Sequence, residues 1–303
     1  MKHKLIRMLA ATVISCSFTA ALTAAGPYEQ HENIVYAETH GIGLVMDVFV
    51  PTGEKNGLGI VDVASGAWRS DRGKINDHKR ASMYDIFCGR GYTVFAVRPG
   101  SVSKFTGLEM LDNLQKGIQW VKSHAAEYAI DPQRLGLTGA SAGGHLACLS
   151  AVNAAADGGT AAAVCAVGVF FPPTDLIAFA GEKLDLRGET QISKSLSGIG
   201  FNGRLDGVSD DQIADTLTRL SPARLVTGKE PPFLLIHGDA DPVVPLQQSE
   251  LMKTALEDKG VATKLIIKPG GGHPWLTIHQ EVALLADWFD EQLKPGSTAE
   301  TAP

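Results

Sequence analysis

Three residues of this chain have the types and settings that turn a hydroxyl into a nucleophile: Ser141, Asp241 and His273. The serine sits in Gly139-Ala140-Ser141-Ala142-Gly143. A short apolar run, Arg134 to Thr138, precedes it, and a run of small helix-compatible residues, Gly144 to Val152, follows. Strand, G-x-S-x-G, helix is the context of a nucleophile elbow, a sharp turn that lifts a serine hydroxyl clear of a sheet edge. Glycine, or at most alanine, must flank the serine because the backbone is crowded and the serine is strained.

A serine hydroxyl is a poor nucleophile at neutral pH. It needs a base within hydrogen-bond reach and a carboxylate that fixes the tautomer of that base. Each partner belongs in a loop after a strand, at the carboxyl edge of the sheet. The acid is expected in His237-Gly238-Asp239-Ala240-Asp241-Pro242, after strand Phe233 to Ile236. Asp241 is preferred to Asp239, because an aspartate directly after glycine suits a turn that accepts backbone N–H groups. The base is expected at His273, in the glycine-rich run Lys268-Pro269-Gly270-Gly271-Gly272-His273-Pro274-Trp275 between a strand and a helix. His145, one turn beyond the serine, reads as a structural residue under the elbow. His237 reads as making a fixed hydrogen bond at its strand end.

Negative charge developing on a substrate carbonyl needs backbone N–H donors. Ala142 supplies one at the N-terminus of the elbow helix, where the dipole also favours an anion. Gly66 and Ala67 are the others expected, in the loop Ala64-Ser65-Gly66-Ala67-Trp68 after strand Leu58 to Val63. Ser65 either adds its hydroxyl or serves the turn. Trp68 and Trp275 flank these loops and are candidate substrate-binding residues, with packing against the scaffold as the alternative. Arg98 reads as a salt bridge holding its own loop, or else as a contact to an acidic substrate group. The chemistry calls for no metal and no organic cofactor.

The elements that must position these residues alternate. Expected are a hairpin (Ile34 to Thr39, Leu44 to Val50), strand Leu58 to Ala64, helix Asn76 to Cys88, strand Tyr92 to Val97 and helix Gly107 to Tyr128. The elbow strand and helix follow, then strand Ala162 to Phe171. Alternation resumes with strand Phe233 to Ile236, helix Leu246 to Lys259, strand Thr263 to Lys268 and helix Ile278 to Leu293. This is the α/β class, a mostly parallel central sheet with helices on both faces. Between them residues 172–230 are polar, with Gly-rich turns at Ser197-Gly198-Ile199-Gly200 and a helix Asp210 to Leu220, and read as a small cap insertion. One catalytic domain, 26–294, and a flexible tail, 295–303, are expected.

Residues 1–25 read as a secretory signal peptide. Lys2, Lys4 and Arg7 precede an apolar run to Leu22, and Thr23-Ala24-Ala25 offers a cleavage site. Secreted or periplasmic placement follows, with lipidation of Cys16 in Val13-Ile14-Ser15-Cys16 as the alternative to plain export. Cys88, Cys148 and Cys165 then remain, too few and of the wrong parity for a disulfide framework. A net charge of −6 with no Lys/Arg cluster gives no surface for nucleic acid or anionic lipid. The sequence leaves the oligomeric state open.

Together these segments resemble the α/β-hydrolase superfamily over roughly Val45 to Leu293. The likeness is to bacterial carboxylesterases, including acetyl-xylan and feruloyl esterase-like and hormone-sensitive-lipase-like enzymes. It rests on Leu44 to Pro51, Ile130-Asp131-Pro132-Gln133-Arg134, Gly139 to Gly144, Phe171-Pro172-Pro173-Thr174-Asp175-Leu176 and the Asp241 and His273 loops. The resemblance implies the α/β-hydrolase fold, the triad order Ser141, Asp241, His273, and an acyl-enzyme on Ser141. A small-molecule ester is the substrate expected, and export adds ester decorations on polysaccharide as a substrate class. Such esterases carry His-Gly-Gly-x-Trp at the oxyanion loop. Here the run is Ala64-Ser65-Gly66-Ala67-Trp68, which changes loop conformation and pocket polarity. A prolyl-oligopeptidase-like peptidase shares the triad order, though those enzymes carry a large N-terminal propeller and some 30 residues here precede the first strands. A non-catalytic binding protein on the same fold is expected to lack a triad member, and none is missing.

Overall fold

The computed structural model describes residues 26–158, 161–179, 181–183 and 185–294. The expected export segment, Cys16 and the tail 295–303 lie outside them. The chain runs β1 (Tyr28–Thr39), β2 (Ile42–Pro51), β3 (Gly59–Val63), α1 (Arg72–Arg80), α2 (Met83–Gly89), β4 (Thr93–Val97), α3 (Gly107–Ser123) and α4 (Ala125–Tyr128). Then follow β5 (Leu135–Ala140), α5 (Ala142–Ala156), β6 (Ala166–Phe170), β7 (Ala178–Phe179), β8 (Glu182–Lys183), α6 (Gln191–Phe201) and α7 (Asp210–Arg219). The chain closes with β9 (Phe233–Gly238), α8 (Gln247–Glu257), β10 (Thr263–Lys268) and α9 (Ile278–Leu293).

Eight strands form one sheet in the order β1-β2-β4-β3-β5-β6-β9-β10. The β1–β2 and β2–β4 pairs are antiparallel, and every pair from β4 to β10 is parallel. The inner strands β3, β4 and β6 are buried along their whole length, as strands covered on both faces must be. One core lies between the sheet and α3, α5, α6 and α8, around Leu114, Ile118, Leu146, Leu196 and Met252. The other lies under α1, α2 and α9, around Ile75, Phe87, Leu285 and Phe289.

Helix α5 is unusual. Thirteen of its fifteen residues are buried, and it is built largely of Ala, Gly and Ser, so it passes through the interior rather than along it. The other helices are anchored by local chemistry. Thr106 and Glu109 make a capping box at α3, as do Ser209 and Gln212 at α7.

Three expected elements differ. The single helix Asn76 to Cys88 is two, α1 and α2, because Ser82 stands between them at φ +58° and turns the axis. The helix Gly107 to Tyr128 likewise breaks at His124, leaving α3 and α4. The glycine-rich segment at 197–200 is not a turn but the second half of α6. Thr190 caps its start, and burial of Leu196 and Ile199 outweighs the poor helix propensity of Gly198 and Gly200. Gly198 also brings the helix close, since a Cβ there would stand 3.0 Å from Val102 Cγ2.

Candidate active site

Ser141 stands between β5 and α5 at φ 54°, ψ −122°, a conformation few L-residues adopt. Its own N–H bonds Phe170 O at 2.9 Å, and His145 N bonds Ser141 O at 2.8 Å. The flanking glycines are obligatory by contact. A Cβ on Gly139 would meet Gly143 C and O at 2.6 Å, and one on Gly143 would meet Val63 O at 2.2 Å. Gly143 N–H in turn bonds Ser65 O at 3.0 Å, seating the elbow against the loop that follows β3.

His273 and Asp241 approach from the ends of β10 and β9. The two loops are stitched together: Asp239 N bonds Lys268 O at 3.1 Å, Ala240 N bonds Gly271 O at 3.0 Å, and Gly270 N donates to Asp239 Oδ1 at 2.6 Å. A Cβ on Gly238 would stand 2.2 Å from Gly271 O, so the glycine run is what allows this approach. His273 Nε2 lies 2.9 Å from Ser141 Oγ, and His273 Nδ1 lies 2.6 Å from Asp241 Oδ2. The other oxygen, Oδ1, accepts Val243 N–H at 2.8 Å and Val244 N–H at 3.0 Å.

The Asp241 side chain is fully buried, which alone would raise its pKa. The polar contact with His237, the hydrogen bond from His273 and those from the Val244 and Val243 amides outweigh that and hold the carboxyl well below the usual carboxylate range. It therefore remains an anion wherever a histidine base is neutral. His237 was expected only to hold its strand end. Its Nδ1 meets Ser249 Oγ at 2.7 Å and its Nε2 meets Val244 O at 2.9 Å, while the ring stands 3.5 Å from Asp241 Oδ2. Phe171, which no spacing pattern singles out, packs on the His273 ring with centroids 4.3 Å apart.

The loop after β3 departs from expectation. Gly66 N–H is not free: it bonds Arg69 O at 3.0 Å, and Arg69 N–H returns to Gly66 O at 3.0 Å. With Ala67 and Trp68 at φ 48° and 53°, these four residues close a tight turn with left-handed dihedrals at both central positions. Gly66 is thereby removed as an oxyanion donor. Among the described residues the N–H groups of Ala67, at the turn's first corner, and of Ala142 bond no protein acceptor. The Ser65 hydroxyl is buried without a protein partner.

Trp68 is 5% exposed and donates its indole N–H to His145 Nδ1 at 3.0 Å, so it packs into the scaffold and has no face to give a substrate. Trp275 is half-buried beside His273, its indole N–H donated to Glu281 Oε2 at 2.7 Å and its ring 5.9 Å from that of Phe171. Arg98 donates to Asn33 Oδ1 at 2.6 Å within the network that Arg72 forms on buried Asp47, and holds the β1–β2 hairpin.

His145 is fully buried. Its Nδ1 accepts from Trp68, so its Nε2 carries the proton and donates to Leu220 O at 2.7 Å. Burial pushes its pKa down to about 4, against a small opposing effect of the Leu220 bond. The unfolded chain takes up this proton near 6.5, so the ring's contribution is complete above that pH and is lost as pH falls towards 4. The expected size is about 3 kcal/mol. Urea unfolding of wild type and His145→Gln should therefore show the larger fall in stability for wild type over that window. Equal pH slopes would contradict a buried neutral ring.

The chain matches the BD-FAE family over residues 46–256, more than half its length. It is 27% identical to esterase LipQ of Mycobacterium tuberculosis over 219 residues, 67% of this chain and 47% of LipQ. It is 28% identical to the uncharacterized peptidase YuxL of Bacillus subtilis over 236 residues, 71% of this chain and 32% of YuxL. The chain thus spans about half the length, or less, of these curated relatives. A truncated carbohydrate esterase from gut microbiota superposes with a TM-score of 0.72 at 24% identity, covering 89% of this chain and 98% of that one. By sequence and by architecture, the chain belongs to the BD-FAE family of the α/β-hydrolase fold.

Proposed function

We propose that this protein is a serine carboxylic-ester hydrolase working through an acyl-enzyme on Ser141. The observation that carries the reading is the unbroken hydrogen-bonded chain from Ser141 Oγ through His273 to Asp241, 2.9 Å and then 2.6 Å. Ser141 Oγ attacks the ester carbonyl while His273 Nε2 takes its proton. Asp241, held ionised, stabilises the imidazolium and keeps the free proton of the neutral ring on Nδ1. The amides of Ala142 and Ala67 receive the oxyanion, the first with the dipole of α5 behind it. His273 then gives its proton to the leaving alcohol, and in the second half-reaction it draws one from the attacking water and returns it to Ser141 Oγ as the acyl C–O bond breaks and the acid leaves.

The names of LipQ and of the carbohydrate esterase favour an ester over a peptide. Export directed by residues 1–25 would bring the enzyme to acyl esters on polysaccharide, with Trp275 as the aromatic wall at the site. The cap role of 172–230 belongs to the same proposal: α6 packs on α3, α7 packs on α6, and Leu220 at the end of α7 meets His145 on the elbow helix. The YuxL match keeps a peptidase as the second reading. Purified protein should turn over p-nitrophenyl acetate and leave an aminoacyl-proline anilide intact. Cleavage of the anilide alone would move the assignment to the peptidase.

A further inference from the structure

His145 joins three segments distant in sequence. It rides on α5 one turn past Ser141, it accepts from Trp68 in the turn after β3, and it donates to Leu220 at the end of α7. Each contact is stereochemically tied to something larger. Trp68 is the second left-handed residue of the turn whose first is Ala67, so the bond that anchors the indole also anchors one corner of the turn that carries the Ala67 N–H. The Trp68 carbonyl also accepts Val102 N–H at 2.8 Å, so the residue is gripped at both ends. Leu220 is fully buried as the cap of α7, and a Cβ on Gly107 would stand 2.7 Å from its Cδ2, so its side chain is seated against the start of α3. The bridging ring is enclosed and neutral, with one acceptor and one donor, each used once.

We propose that His145 is a positioning residue for the oxyanion turn, and that through Leu220 it couples the conformation of the 172–230 insertion to the donor Ala67. This rests on the ester-hydrolase reading above. A ligand that shifts α7 would alter transition-state stabilisation without touching Ser141, His273 or Asp241. Since an oxyanion donor acts on the transition state more than on bound substrate, damage to the bridge falls on kcat rather than KM.

The test uses the full chain and p-nitrophenyl acetate. His145→Leu, which cannot bridge, should lower kcat by about a hundredfold with KM within about twofold. Trp68→Phe, which removes the donor together with part of the buried ring, should lower kcat to a similar degree, and the double variant should lose little more than either single one. His145→Gln offers an acceptor and a donor in one amide and should recover most of the rate. Additive losses in the double variant, a rise in KM at preserved kcat, or Gln no better than Leu would each overturn the proposal.

A second readout needs no activity. The chain has four tryptophans, and Trp68→Phe assigns one indole N–H resonance to that residue. Leu220→Ala, in the insertion, should shift that resonance in folded protein. An unmoved signal would sever the coupling even if wild-type protein hydrolysed no ester, so the two hypotheses fail separately.

Discussion

Ser141→Ala should lower ester turnover by about 10⁵- to 10⁶-fold while the protein remains folded. The hydroxyl is the only group removed, and among the described residues it bonds His273 Nε2 alone. The backbone strain at Ser141 is imposed by Gly139, Gly143 and Phe170 packed around it, and alanine inherits it unchanged. Melting temperature should therefore stay near that of wild type. The residual rate measures what the Ala142 and Ala67 amides achieve alone, with water as the nucleophile. Acid-quenched mass spectrometry gives the parallel result: an acyl adduct on wild type during turnover of p-nitrophenyl acetate, and none on the variant. A variant within tenfold of wild type would remove Ser141 from the mechanism.

Asp241→Asn is expected to cost about 10⁴ in kcat, against less than about tenfold for Asp239→Asn. The asymmetry follows from what each carboxylate touches. Asp241 accepts from His273 Nδ1 with one oxygen and from two backbone amides with the other. An asparagine there must turn its NH₂ either towards the Val243 and Val244 amides or towards His273 Nδ1. Facing the amides it sets donor against donor. Facing the histidine it forces the ring proton onto Nε2, where no base remains for Ser141. Asp239 instead accepts Gly270 N–H from the base loop, a bond that an asparagine oxygen can still make. Steady-state kinetics on the two variants decides the assignment. A larger loss at Asp239 would transfer the role of acid to it.

How much of this was written in the sequence depends on how local each signal is. The elbow is legible because G-x-S-x-G encodes a backbone crowding that only glycine relieves, and the contacts at Gly139 and Gly143 are of that kind. The glycine run before His273 foretells a close approach, and its partner is the Gly238 backbone. The loop after β3 misled because a turn with alanine and tryptophan at positive φ has no compositional mark. Its formation depends on the reciprocal Gly66–Arg69 bonds and on an anchor for the indole. That anchor is 77 residues away, and its second partner is 75 residues further still, so no window along the chain contains the bridge. The split of α1 from α2 was hidden likewise, a serine at positive φ being decided by packing. Helix α6 shows the opposite error, in which two glycines outweighed a cap and two buried apolar residues that were both in view.

The serine and its two partners are mounted on parts of the molecule that differ in burial. Ser141 begins a helix enclosed on nearly all sides, so the amides beyond its first turn are shielded by the surrounding core. His273 and Asp241 sit on surface loops tied mainly to each other, and Leu276 close by is entirely exposed. Local fraying there disconnects base and acid as a pair and leaves the nucleophile in place. Reactivity is thus expected to be lost before the fold, at the lower free energy of opening the loops.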